Sequence, residues 1–271
     1  MLDSSWGYWL TAWNFEPSVL LGIAILYGGY LVATGPLRTR FPSNQAITSG
    51  QLAAYTGGIL TLVIALLSPL DLLSDKYWFN AHMVQHILLT LIAPPLLLLG
   101  TPAWMVEALL KPGSIRALAR KLTNPYFAFL SFNIVFALWH IPTLYDRALE
   151  FEPLHIFEHL TFIATATLTW MPVLSPTPLL PRLSQPVQVL YMFLQSLLPT
   201  GLGAVITFAE QPLYTFYVNA PRGAGLSVLE DQVWAGLIMW IGGAFIFLFA
   251  LTLIFFKWFS REEPIEGQGF I

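Results

Sequence analysis

Seven stretches of mostly apolar, nearly uncharged residues recur along the chain, near 18–34, 51–69, 81–101, 125–141, 153–172, 186–209 and 232–257. Each reaches the length of about 17 residues that a helix needs to cross roughly 30 Å of hydrocarbon, so the pattern predicts seven transmembrane helices. Loops rich in Pro and Gly at 176–186 and 212–225 separate the later spans and mark turns at the membrane surface. The 212–225 loop carries Tyr214, Tyr217 and Arg222 and reads as an interfacial loop rather than a lid over the bundle. In the third span neither Pro94 nor Pro95 can donate a hydrogen bond, and each ring crowds the carbonyl four residues back, which predicts a kink near Thr90 and Leu91. Small residues dominate the first two spans: Gly22, Gly28 and Gly29 in one, Ala53, Ala54, Gly57 and Gly58 in the other. They suit close helix packing.

Composition strengthens this reading. With 56% apolar and 10% charged residues, the chain is expected to form an all-α polytopic membrane protein, one seven-helix bundle over 1–271 with no soluble domain. Charge sets the orientation. Nine of the twelve basic residues follow spans one, three, five and seven (Arg38, Arg40, Lys111, Arg116, Arg120, Lys121, Arg182, Lys257, Arg261), and three lie on the opposite side (Lys76, Arg147, Arg222). The positive-inside rule therefore puts the N-terminus outside and the C-terminus in the cytoplasm of a plasma-membrane protein. The start lacks the basic region of a cleavable signal peptide, and Trp6, Tyr8, Trp9 and Trp13 read as an interfacial aromatic belt. No basic patch points to nucleic acid. The chain has no Cys, which excludes thiolate metal sites and disulfides and leaves His, Met and carboxylates as the strong ligands.

The candidate chemistry lies in the histidines. His82 and His86 stand at i and i+4 at the outer end of span three, on one helix face and roughly 6 Å apart along the axis, which is a chelating arrangement. Met83 flanks that face with a thioether. His155 and His159 repeat the spacing at the outer end of span five, and His140 closes span four before Pro142. All five histidines of the chain thus fall at one depth on one side, where polar groups inside a bilayer are functional candidates. For His140 alone, a helix-end hydrogen-bonding role competes with metal ligation. Among the carboxylates, Asp231, Asp146 and Glu152 are placed to orient imidazoles by accepting the other ring N–H, with Asp231 preferred. Glu158 points about 60° off the His155/His159 face, so helix-dipole stabilisation competes with metal contact there. Met239, two turns beyond Asp231, reads as packing. Imidazole suits zinc and copper as well as iron and nickel, so ligand type does not choose the metal. A zinc-dependent intramembrane hydrolase, with three His, a carboxylate and a metal-bound water, and a carrier of a single haem both remain open.

Four ordered segments, HMVQHILLTLIAPPLLLLGTP, WHIPTLYDRAL, LHIFEHLTF and DQVWAGLIMW, resemble the CtaG family of cytochrome c oxidase assembly factors. These are seven-span membrane proteins linked to aa-type and caa-type haem-copper oxidases. The resemblance covers about 68–240, with the first spans alike mainly in hydropathy. It implies a non-catalytic role in metallating the oxidase, with copper captured from the outer side and passed to oxidase subunits in the same membrane. On the family's motifs, the metal-site residues are His82, His86, His140, His155 and His159, with Asp146 and Asp231 as the accompanying carboxylates. Neither the copper donor nor the oxidation state follows from it.

Overall fold

The computed structural model describes residues 11–41, 45–221 and 225–262, with side chains through 260. Trp6, Tyr8 and Trp9 of the expected aromatic belt, and Arg222 of the 212–225 loop, lie outside the described residues. Trp13 is described and is 42% exposed. The described residues hold helices and no strand.

In chain order the helices are α1 (Pro17–Thr34), α2 (Ser49–Leu67), α3 (Pro69–Lys76), α4 (Phe79–Gly100), α5 (Ala103–Leu109) and α6 (Gly113–Leu122). They continue with α7 (Pro125–Trp139), α8 (Pro142–Glu150), α9 (Glu152–Leu174), α10 (Gln185–Phe208), α11 (Thr215–Asn219) and α12 (Val228–Ser260). Their starts are written in the sequence. Thr48 with Gln51, and Ser227 with Glu230, form capping boxes at α2 and α12. Proline occupies the first turn of α3, α7, α8 and α9, where its missing N–H has no intrahelical partner to lose.

Every expected span is a helix to within a few residues. Five of them, α1, α2, α4, α10 and α12, are long and apolar enough to cross a membrane, and a sixth follows if α6 and α7, bent by 61°, count together. The helix outside this set is α9. Its 23 residues would cover about 34 Å, but they include Glu152, Glu158, two histidines and four threonines. Those threonines are locally satisfied: Thr165 and Thr167 donate to the carbonyls of Thr161 and Ile163, each at 2.7 Å, and Thr169 donates to Ala128 of α7 at 2.9 Å.

The predicted break in α4 is a π-helical turn over Leu88–Ile92, closed by the Ala93 N–H donating to Leu88. Pro94 removes the donor that Thr90 would have used. The indole N–H of Trp170, reaching over from α9, donates to that carbonyl instead, at 3.1 Å. The proline pair therefore shifts the helix register and ties α4 to α9. Two further π turns, Ala24–Gly28 and Ile238–Gly242, each run into a Gly-Gly pair and were not expected from the sequence.

Close packing is selective. A Cβ at Gly58 would lie 2.8 Å from Leu97, and one at Gly100 would run into the Tyr55 backbone, so α2 and α4 touch through these two positions. Gly203 and Gly236 bring α10 and α12 together in the same way. The expectation is not met for Gly22, Gly28 and Gly29, where an added Cβ would meet nothing within 4 Å among the described residues. Helix α1 instead meets the bundle through Tyr30, stacked on Tyr55 at 3.8 Å and donating to the Gly100 carbonyl.

Candidate metal centre

Five imidazoles from three helices meet at one end of the bundle. The i, i+4 spacing brings His82 and His86 to a ring separation of 4.2 Å on α4, and His155 and His159 to the same 4.2 Å on α9. The two pairs face each other: His82 lies 5.5 Å from His155 and 6.3 Å from His159, and His86 lies 6.0 Å from His159. His140, just past the end of α7, stands 6.1 Å from His86. All five are buried.

Most of their ring nitrogens have no hydrogen-bond partner among the described residues. Both ring nitrogens of His82 and His86, and Nε2 of His140, His155 and His159, are buried without a hydrogen-bond partner among the described residues. The Ser74 carbonyl lies near His82 but takes its hydrogen bond from Tyr217, at 2.7 Å. A buried polar atom left unpaired costs about 1–3 kcal/mol, and a metal ion accepts such lone pairs directly. Two sets converge. One atom each from His82, His155 and His159 lie within 4.8 Å of one another, and so do atoms of His82, His86 and Glu158. Ligands around a tetrahedral ion stand about 3.4 Å apart, so both sets already approach a common centre. His82 belongs to both.

His140 is held differently. Its Nδ1 lies 2.7 Å from the Phe136 carbonyl, which fixes the ring and leaves Nε2 for the cluster side. The helix-end and ligand readings of this residue are thus compatible. Met83 is buried beside it and lines, with His86, His140 and Met239, a cavity of about 20 Å³, room for one water-sized occupant. Met239, expected to serve packing alone, also borders this cavity.

The carboxylates depart most from expectation. Asp231 accepts from the backbone N–H groups of Phe79 (3.0 Å) and Asn80 (2.9 Å), so it holds the first turn of α4 rather than orienting an imidazole. Asp146 accepts from Thr215 N, Thr215 Oγ1 and Phe216 N at 2.5–3.1 Å and pins α11. Glu158 is the carboxylate that enters the cluster, with Oε1 3.6 Å from His86 Nε2. Asp75, which the sequence did not single out, lies 3.5 Å from His155 Nδ1. Burial, and for Asp71 also the neighbouring Asp75, pushes the carboxyl groups of Asp71 and Asp75 up to about 7. An Asp-x-x-x-Asp pair on the helix directly before the His82 helix was the available signal.

The part of the 212–225 loop around Tyr214 and Tyr217 packs over the centre, where a plain interfacial loop was expected. Tyr214 and Tyr217 are buried and pack on Phe79 at 4.8 and 5.3 Å, while Tyr145 of α8 lies 5.2 Å from His82. Tyr214 donates to the His140 carbonyl at 3.1 Å. Burial drives the Tyr145 and Tyr217 hydroxyls well above the ordinary phenol value, so both stay neutral.

Comparison with known proteins gives relatives and a family. Uncharacterised proteins of Mycobacterium bovis and Mycobacterium tuberculosis are each 24% identical over 96% of this chain, and one of Mycobacterium leprae is 24% identical over 94%. The chain spans about two-fifths of their length, 41%, 41% and 40%. No solved structure matches it. The description of the cytochrome c oxidase caa3 assembly factor family, Caa3_CtaG, matches residues 28–261, a stretch that takes in all five histidines and every helix packed around them. The chain belongs to the cytochrome c oxidase caa3 assembly factor family.

Proposed function

We propose that this protein is a non-catalytic assembly factor that takes up copper at the histidine cluster and passes it to a cytochrome c oxidase subunit in the same membrane. The observation that carries the reading is the set of five buried imidazoles, each with at least one ring nitrogen lacking a hydrogen-bond partner among the described residues, four of which enter the two converging sets. Family membership supplies the oxidase. Imidazole with a nearby thioether is a donor set that suits copper. Sharing of His82 between two incomplete sets fits cargo better than a resident cofactor, because an ion can change ligands stepwise without ever losing all of them. In this reading α7 and α9 complete seven spans, the cluster lies toward the outer face, and the C-terminus is cytoplasmic.

Metal analysis of the purified protein, with His82→Ala, His86→Ala, His155→Ala and His159→Ala, tests it. Each variant is expected to lower copper occupancy, and pairs to cost little more than singles because the residues serve one connected centre. Cells lacking the protein are expected to hold oxidase with haem but short of copper, partly restored by added copper. Fully coppered oxidase there would end the copper reading. Reporters fused after 271 and within 223–225 are expected to be active inside and outside respectively. The reverse pattern would move the cluster to the cytoplasmic face. A zinc-dependent hydrolase is the second reading, favoured by the His82, His155 and His159 triad, and stoichiometric zinc with turnover would establish it.

A further inference from the structure

Beside the cluster lies a cavity of about 690 Å³, bounded by the segment 11–16 and by α3, α8, α9 and α11. Its lining contains Glu16, Asp71, Asp75, Glu150 and Glu152 against one cation, Lys76. The inner wall is His155. That side chain is only 8% exposed, with Nδ1 3.5 Å from the Asp75 carboxylate in the cavity and Nε2 buried without a hydrogen-bond partner. From His155 the orphaned imidazoles continue inward: His82 and His159, then His86 with Glu158, then His140 at the small Met83 and Met239 cavity.

We infer that this acidic vestibule is the entry port for the metal cation, with Asp75 and His155 as its first landing pair before transfer to His82 and His159. The inference rests on the copper reading above and adds the route. A cleft whose charged groups are mainly carboxylates, here Glu16, Glu150 and Glu152 with Asp75, is the kind of surface that concentrates a counter-ion and raises its association rate. Asp71 is less available than Asp75, since its carboxylate already takes Asn14 and Gln85 at 2.9 and 3.0 Å. Tyr145, Tyr214 and Tyr217, all buried, cover the centre beside His82 and His140.

The test separates rate from capacity. Full-length protein in nanodiscs is mixed with Cu(II), and uptake is followed by quenching of tryptophan fluorescence in a stopped-flow instrument. For the wild type the uptake rate is expected to fall as ionic strength rises from about 0.01 to about 0.15 M, as screening shortens the reach of the field. The combined Glu16→Gln, Glu150→Gln and Glu152→Gln variant is expected to load about tenfold more slowly and to lose most of that salt dependence, while still filling at saturating copper. Glu210→Gln, an exposed carboxylate that does not line the cavity, is the control and is expected to load like the wild type. A salt-insensitive wild-type rate, or a triple variant as fast as the wild type, overturns the port and leaves the cluster reading intact. Loss of capacity in the His variants with normal vestibule behaviour supports both. A wild type that takes up no copper overturns both.

Discussion

Replacing Asp231 by Asn distinguishes a residue that positions a helix from one that tunes a ligand. Both carboxylate oxygens accept from the first turn of α4, at 3.0 Å from Phe79 N and 2.9 Å from Asn80 N, and the residue is 1% exposed. Asparagine keeps one acceptor and turns an NH2 toward the other donor. One bond to a charged acceptor, worth about 1.5–3 kcal/mol, is lost. The charge facing the helix N-terminus goes with it, a further term of about 0.3–1 kcal/mol. The expected loss in stability is about 2–4 kcal/mol, the same with and without metal, and Asp231→Ala is expected to cost roughly twice as much. Copper affinity is expected to change less than about threefold, because the lower part of α4 remains fixed against Tyr55 and Trp170. The assay is denaturant unfolding of the detergent-solubilised metal-free protein, paired with a competition titration of copper. Unchanged metal-free stability with a 10- to 100-fold loss of affinity is the behaviour of a carboxylate that orients a ligating imidazole, and it would refute the helix-anchor account.

Trp170→Phe is expected to cost about 1–3 kcal/mol by stranding the Thr90 carbonyl. The cost is expected to shrink in a Pro94→Ala background, where the new backbone N–H can take that carbonyl, and a double-mutant cycle measures the coupling. Gly236→Ala places a Cβ 2.7 Å from Thr207 N and 2.8 Å from Gly203 O, so unfolding of the variant is expected to show a loss of about 1–3 kcal/mol from overpacking α12 on α10. Asp71, raised from 3.8 to about 7, keeps its proton in the folded state where the unfolded chain has released it. Stability of the metal-free protein is therefore expected to fall as pH rises from about 4 to about 7, and Asp71→Asn to flatten that slope in thermal unfolding scans.

How far the sequence reached depended on whether the needed information was local. The meeting of His82, His86, His155 and His159 was legible because each pair shares a helix face by its own spacing, and span boundaries put all four at one end. The carboxylates were not, because their partners lie on other elements. Glu158 does point off the His155/His159 face, and for that reason it reaches His86 on α4, a contact that one helical wheel leaves out. Asp231 and Asp146 were expected to orient imidazoles, yet Asp231 accepts from backbone N–H groups about 152 residues away, and Asp146 from the Thr215 hydroxyl and two backbone N–H groups about 70 residues away. The proline pair announced a break in α4, but its form, a π turn with the freed carbonyl given to Trp170, depended on an indole from α9. Small residues in α1 looked like a packing face from composition alone, yet a Cβ added at Gly22, Gly28 or Gly29 would meet nothing within 4 Å among the described residues.

The π turn at Leu88–Ile92 also works as a phase shifter between two halves of one rod. A single extra residue rotates everything beyond it by about 100° relative to an uninterrupted helix. Below it, Gly58 against Leu97 and Gly100 against Tyr55 set the angular position of α4 on α2, while above it His82 and His86 set the angle toward α9. The inserted residue lets both requirements be met at once. Removing any one residue from 88–92 would take out this phase shift and turn the imidazoles about a quarter of a revolution away from His155 and His159. The helix would still be apolar, still long enough to span and still packed at Gly100. Length at this point in the chain, together with the proline pair that breaks the ladder, is thus what keeps the two histidine pairs in view of each other.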